Sequence, residues 1–239
     1  MSNNDQIDIL FKFATRGRPD KFRNQLDRYC DLLSGEVKVK FVISMDSDDT
    51  TMNNEDMKWW LSPANGKHYN AGKDKVSIDS YYGNSKTKIQ AINADMNHYN
   101  NFKIVVNLSD DMTPVEKNYD KIIYDDMIKY FPDFNGALHY NDGRAGKNLI
   151  TLSIMGKPLY DHFGYIYHHS YVSVFCDNEF HDSVYAMNKA VYIDRVIIKH
   201  DWVNYTGKDK LHIRNESFYK QDNRNYNRRK SINFDPKLP

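Results

Sequence analysis

Two adjacent carboxylates, Asp110 and Asp111, follow directly on a β-branched apolar run, Lys103-Ile104-Val105-Val106-Asn107-Leu108. Thr113-Pro114 then stops the run. Asp is a poor interior strand residue, so the pair is expected at the carboxyl tip of a buried strand. In an open α/β sheet that edge is where ligands bind. Neighbouring carboxylates repel unless a cation or a hydrogen-bond network holds them. A hard divalent ion carrying a substrate's phosphates meets that need, because such ions take one or two protein carboxylates and leave the rest to phosphate and water. A strand-end turn with solvated Asp side chains meets it equally well.

A second acidic cluster, Cys176-Asp177-Asn178-Glu179-Phe180-His181, follows another apolar stretch, Tyr171 to Phe175, which reads as a strand. One carboxylate there can accept a proton from an acceptor hydroxyl while the first cluster holds a leaving phosphate. The same acids also suit a plain helix N-terminus. A histidine, His200, ends the apolar run Val191 to Lys199, which reads as one strand and places an imidazole late in the chain. His162, His168 and His169 have no zinc-like spacing and are assigned to packing or surface.

The elements that must position these groups are visible in the hydrophobic pattern. Ile7 to Ala14 reads as a buried strand running into Thr15-Arg16-Gly17-Arg18-Pro19, a Gly/Pro turn that sets Thr15, Arg16 and Arg18 at the carboxyl edge. Phe22 to Leu33 has helical spacing, and Val37 to Ser44 is a second strand closing in Asp46-Ser47-Asp48-Asp49. Strand, helix, strand with polar groups at each strand end is the βαβ logic of a nucleotide-binding fold. A short helix is expected around Asp56 to Leu61, a third strand over Lys75 to Ser80, and a helix from Thr87 to Tyr99. Ser85 is suited to cap that helix, with Lys86 in its first turn, where a cation is favoured only beside a bound anion. A helix spans Val115 to Phe131; Ala137 to Gly143 is a short strand ending in Asp142-Gly143, and Leu149 to Met155 is β-rich.

The 239 residues suit one large domain or a domain with an appendage, and their formal charge of +1, from 33 basic and 32 acidic side chains, carries no global nucleic-acid or membrane signal. Cys30 and Cys176 lie far apart in sequence, which fits a reducing, cytoplasmic setting. The polar start of the chain lacks a signal-peptide core, and no apolar run approaches the roughly 20 residues of a membrane span. Beyond Thr206 the chain turns polar and basic, with Lys208, Lys210, His212, Arg214, Lys220, Arg224, Arg228, Arg229 and Lys230 interleaved with Tyr219 and Tyr226. Such a tail can clamp a diphosphate, touch a nucleic-acid backbone, or lie solvated on the surface.

The order of these motifs resembles the glycosyltransferase family 2-like enzymes of the GT-A fold, including small phage and bacterial members. The resemblance runs from about 15 to 205 through Ala14-Thr15-Arg16-Gly17-Arg18-Pro19, Asp46-Ser47-Asp48-Asp49, Gly83-Asn84-Ser85-Lys86, Ser109-Asp110-Asp111, Asp142-Gly143 and Cys176-Asp177-Asn178-Glu179-Phe180 to His200. It implies an α/β, Rossmann-type mixed sheet flanked by helices, with a glycosyltransferase domain over 1–205 and a polar basic extension over 206–239. Thr15, Arg16, Arg18, Asp46, Lys86 and Asp110 would then face the donor nucleotide, with Asp48 competing for the role of Asp46. Asp142 and Gly143 fall on the sugar and acceptor side. The family's D-x-D motif lands on Ser109-Asp110-Asp111, so Asp111 matches the metal-binding second Asp, and Ser109 in place of the first is a departure that bears on metal geometry. His200 resembles the late histidine that completes the metal site in some GT-A enzymes.

The implied activity is transfer of a sugar from a nucleoside-diphosphate donor, such as a UDP- or GDP-sugar, to an acceptor hydroxyl, inverting and assisted by Mn²⁺ or Mg²⁺. Asp177 or Glu179 is the base, Asp177 being nearer the strand end. The acceptor stays open among carbohydrate, protein and modified nucleic acid. A nucleotidyltransferase would need a glycine-rich phosphate loop after the first strand, where this chain has Gly17 alone. A non-catalytic nucleotide or nucleic-acid binding protein is the other rival, supported by Ser109 and the basic tail.

Overall fold

The computed structural model describes residues 6–65, 75–201 and 210–238. At its centre lies β1 (Ile7–Ala14), buried on both faces. Parallel neighbours β2 (Val39–Asp46) and β4 (Phe102–Leu108) flank it, and β3 (Val76–Gly83) extends the sheet beyond β2. Continuous apolar runs of this kind are what a sheet covered on both sides requires. On the other side β7 (Ile154–Gly156) runs antiparallel to β4, followed by β6 (Ala137–Tyr140) and β8 (Ala190–Ile193), giving seven strands in the order β3-β2-β1-β4-β7-β6-β8. A separate antiparallel pair joins β5 (Met112–Pro114) to β9 (Ile198–His200).

Period-two alternation along β1 divides the core into two layers. Ile9, Phe11 and Phe13 pack with α1 (Pro19–Asp31), α2 (Glu55–Leu61) and α4 (Tyr119–Tyr130), where Phe13 meets Phe22 edge-on at 5.1 Å. Leu10 and Val42 face α3 (Lys88–Asn93), α5 (Lys157–Phe163) and α6 (Cys176–Ala186). The mixed α/β sheet between helical layers is the expected architecture, and no helix among the described residues is long and apolar enough to cross a membrane.

Several local expectations are corrected. The helix expected over 87–99 ends at Asn93; Asp95 takes a left-handed φ of 63° and a 3₁₀ turn follows. Thr87, not Ser85, caps it by accepting from the Gln90 amide, so Lys86 precedes the helix. Tyr171 to Phe175 is no strand, because the amides of Val172, Ser173 and Val174 are bound by the Asp222 carboxylate. The run Val191 to Lys199 divides into β8 and β9, which join different sheets. Trp60 is buried against Phe22 while its neighbour Trp59 is exposed.

The last described segment forms α7 (Lys210–Glu216) and α8 (Tyr219–Ser231). The inner side of α8 packs on α6 through a buried pair between Arg229 and Glu179, and Tyr226 and Lys230 both donate to Asp182.

Candidate active site

Parallel β1, β2 and β4 end side by side, and their terminal loops supply one polar cluster. After β1, Gly17 turns the chain with a φ of +69°, a conformation open to glycine, and its amide donates to Asp49 Oδ2 at 2.6 Å. That turn sends Arg16 and Arg18 in different directions. Arg16 donates through Nη1 to Asp46 Oδ2 at 2.8 Å and grips Asp48 with both nitrogens, at 2.6 and 3.0 Å. The guanidinium holds the exposed Asp48 carboxyl below its usual range. The other oxygen of Asp46 accepts the Ser85 amide at 3.0 Å, tying the β2 and β3 loops together.

Arg18 points inward to Asp110, donating Nη1 to Oδ1 at 2.6 Å, while Thr15 Oγ1 donates to Oδ2 at 3.3 Å. Burial pushes the Asp110 carboxyl upward, against the pull of Arg18, and the neighbouring charge of Asp111 adds to the rise. The second nitrogen of Arg18 meets His212 Nδ1 at 2.8 Å. His212 comes from α7, so the chain's last segment returns to the cleft.

Asp111 lies between two imidazoles: its Oδ1 is 3.8 Å from His200 Nε2 and its Oδ2 is 3.8 Å from His212 Nε2. Burial would raise this carboxyl, but hydrogen bonding from His200 and His212, with the charges of His200 and Lys88, outweighs it and holds Asp111 well below the usual carboxylate range. Ser109, in the place of a first Asp, donates its hydroxyl to Asp111 Oδ1. Strand pairing fixes this arrangement: β5 follows Asp111 directly and pairs with β9, while the Asp201 amide donates to the Asp111 carbonyl at 2.7 Å. Among the described residues no group of three His, Cys, Asp or Glu side chains is arranged to hold a metal ion as it stands. The donor types at Asp111, His200 and His212, one carboxylate oxygen and two imidazole nitrogens, are nevertheless those that Mn²⁺ accepts.

Asp142 borders the same corner, with Oδ2 at 3.9 Å from His200 Nδ1. Its oxygens are largely engaged in building their own loop. Oδ1 accepts the amides of Arg144, Ala145 and Gly146 at 2.9, 2.7 and 3.3 Å, and Oδ2 accepts the Thr151 hydroxyl at 2.9 Å. Burial raises its pKa, but these donors outweigh it and leave the carboxyl below its usual range. Gly143 follows in a left-handed conformation and donates to Asn141 Oδ1.

The two acids of the second cluster part company. Asp177, in the first turn of α6, has its carboxyl pushed up by burial, opposed by the charges of Lys88 and, more weakly, His200. Glu179 turns to the opposite purpose, since its oxygens accept Arg229 Nε and Nη2, both at 2.7 Å, and the Tyr171 hydroxyl at 2.7 Å. A carboxylate so occupied has little capacity left for a substrate proton.

Lys86 is exposed, and its backbone carbonyl accepts Arg214 Nη2 at 3.2 Å. Lys88 is the lysine whose charge acts on both Asp111 and Asp177. Neither Lys88 nor His212 stood out in the sequence. Lys88 begins a six-residue helix whose cap, Thr87, lies two residues beyond the capping serine that the sequence suggests, and His212 is one basic residue in a basic tail. None of these groups lines the cavity of about 660 Å³ between the far half of α6 and the end of α8, which is bounded by His181, Tyr185, Lys230 and Phe234.

Comparison with solved structures shows that the chain has the GT-A fold. The S. aureus TarS 1-349 structure in complex with UDP superposes with a TM-score of 0.58 at 12% identity, covering 81% of this chain and 60% of that one. The mannosyltransferase PcManGT from Pyrobaculum calidifontis, in complex with GDP-Man and Mn²⁺, gives 0.55 at 13% identity over 82% and 57%. GalNAc-T7 with UDP, GalNAc and Mn²⁺ gives 0.62 at 9% identity over 83% and 44%. The chain thus spans between about two fifths and three fifths of these proteins. No protein-family model matches the sequence, and no curated protein matches it.

Proposed function

We propose that the protein is a nucleotide-sugar-dependent glycosyltransferase that moves a sugar from a UDP- or GDP-linked donor to an acceptor hydroxyl with inversion. The observation that carries this reading is the meeting of Arg18–Asp110 and of Asp111 between His200 and His212 at the carboxyl ends of β1 and β4, within a GT-A fold. That end of a parallel sheet is the ligand edge. Related folds at low identity carry UDP or GDP-Man, two of them with Mn²⁺.

In this reading the loop after β1 and the end of β2 hold the nucleoside: Thr15 and Arg18 from one side, with Arg16 presenting Asp46 and Asp48 from the other. Asp110 fixes the Arg18 guanidinium, leaving it beside the donor's phosphates. Asp111 and His200 would hold Mn²⁺ or Mg²⁺, and His212 reaches the other carboxylate oxygen. Bound there, such an ion supplies positive charge against the leaving diphosphate.

Asp177 is the base. Its raised carboxyl pKa brings it nearer the operating pH, where a general base works best. The acceptor oxygen forms its bond to the anomeric carbon as the bond from that carbon to the diphosphate oxygen breaks. The bonding pair leaves on the diphosphate, and the acceptor's proton passes to Asp177. Asp142 and Gly143 shape the wall on the sugar and acceptor side, with the Asp142 carbonyl accepting the His200 amide of β9 at 3.0 Å and its carboxylate holding the loop together.

Calorimetry and thermal shift with nucleoside diphosphates and nucleotide sugars, each with and without Mn²⁺, test the reading. One donor should raise the melting temperature in a Mn²⁺-dependent way; a flat response across UDP- and GDP-sugars would remove the proposal.

A further inference from the structure

The outer side of α8 is left unused by the site described above. Its inward residues, Asp222, Tyr226 and Arg229, are spent on docking the helix. The opposite pole carries Lys220, Arg224 and Arg228, all exposed and spaced four residues apart. Four residues of helix rise by about 6 Å, so the three cations form a straight row along one side. Among the described residues Lys220 and Arg224 take part in no ion pair. The carboxylate of α8 itself, Asp222, is buried beneath the helix, and the exposed carboxylate nearest the row in sequence is Glu216, at the end of α7. Lys220 and Arg224 therefore have no carboxylate on their own helix to neutralise them, and Arg228 donates Nη2 to Asn225 Oδ1 at 2.8 Å.

An aromatic ring and amides accompany this charge. Tyr219 is 55% exposed, and its ring packs against Phe175 at 4.9 Å between centroids with the planes tilted by 64°, a contact that holds it in place. Tyr219, Lys220, Asn223 and Arg224 line a shallow depression of about 310 Å³. Asn227 donates to Asn223, placing a second amide beside it.

We propose that this face docks a single-stranded nucleic acid, with phosphates along Lys220, Arg224 and Arg228 and an unpaired base stacked on Tyr219. A basic row that tracks a backbone, joined to an aromatic platform, is how single strands are bound without strong sequence preference. A membrane surface would require large apolar side chains on the same pole, where this helix has Asn227 and Ser231. A simple polyanion would have no use for the propped ring. The face also leads toward the cleft: α7 lies just ahead of α8 and sends His212 to Arg18 and Arg214 to the Lys86 carbonyl. Resting on the transferase reading, the bound strand is a nucleic acid whose 2′-hydroxyl or hydroxyl-bearing modified base is the acceptor, and single-stranded DNA probes the docking alone.

The test is fluorescence anisotropy of a labelled 20-nucleotide single-stranded DNA with the full-length protein, titrated at several salt concentrations. Binding should weaken with salt, and the combined Lys220→Gln, Arg224→Gln, Arg228→Gln variant should lower the logarithmic salt slope by about 2, from roughly 0.7 per phosphate contact. Tyr219→Ala should weaken binding roughly 5- to 150-fold. Both variants alter solvent-facing residues, and an unchanged melting temperature confirms that they fold. The proposal is overturned by absence of binding at low salt, by a triple variant that binds like the wild type, or by inorganic polyphosphate competing equally well with Tyr219 dispensable. Nucleotide-sugar binding, measured on the same preparation, keeps the two readings apart. DNA binding without a donor response supports the docking face and sinks the transferase, whereas a donor response without DNA binding sinks the docking face alone.

Discussion

Arg229 and Glu179 meet as a planar fork in the protein interior, Nε to Oε2 and Nη2 to Oε1 both at 2.7 Å, fifty residues apart in the chain. Arg229 Nη1 also donates to the Leu238 carbonyl. The pair clamps the last helix against α6, the helix that carries Asp177. Removing one partner of a buried pair strands the other, at a cost of about 3–5 kcal/mol, whereas replacing both by apolar residues is often close to neutral. Arg229→Met should therefore destabilise the protein by about that amount in urea unfolding. The Glu179→Leu, Arg229→Met double variant should recover most of the loss. Equal destabilisation by the single and double variants would show that the pair is not a closed unit.

The same clamp separates the roles of the two acids on α6. Asp177→Asn should lower turnover by ~10²–10⁴, the usual contribution of a positioned base, while donor affinity by calorimetry stays unchanged. Glu179→Gln should act first on stability. A Glu179→Gln protein that keeps its melting temperature yet loses turnover would reverse the assignment.

Which parts of this arrangement were legible beforehand follows from how local their causes are. The extents of β1 and β4 are written in the runs around Phe11 and Val105, because strands buried on both faces need unbroken apolar residues. The placing of Asp110 and Asp111 at the strand end follows from the same runs. Other features depend on distant partners. Val172-Ser173-Val174 has a strand's alternation, but its amides are taken by Asp222, about fifty residues later. Whether Asp177 or Glu179 is left for chemistry depends on which one Arg229 meets. His212 reaches Asp111 only because the last segment folds back, and no spacing motif records that.

The metal reading makes a claim about Asp111 that binding alone can test. Asp111→Asn keeps the shape of the side chain but removes the negative charge that lies between His200 and His212. A donor at a hundredfold excess over Kd stabilises the wild type by about 2.7 kcal/mol in all, and in the variant the part of that stabilisation that depends on Mn²⁺ should disappear. His200→Ala should weaken it by a smaller amount. An Asp111→Asn protein whose UDP or GDP affinity still responds to Mn²⁺ would remove Asp111 from the metal site.

A last prediction concerns Lys12, which is wholly buried in the middle of β1. Its ammonium donates to Ser44 Oγ, which in turn donates to Asp95 Oδ2 at 2.5 Å. Burial lowers the lysine pKa to about 7, with Asp95 opposing the fall, against 10.5 for the ordinary side chain. Between these values the unfolded chain binds a proton that the folded chain does not, so this group makes stability rise with pH, by at most about 1.4 kcal/mol per unit. Below pH 7 the charged form is carried in both states and its burial penalty is felt in full. Lys12→Met, of similar length and without charge, should gain most over the wild type near pH 6, and the gain should shrink as pH is raised toward 9. Denaturant unfolding of the two proteins at pH 6, 7.5 and 9 measures this difference directly. A difference that stays constant across that range would mean that Lys12 keeps its proton in the folded protein, held by Asp95 through Ser44.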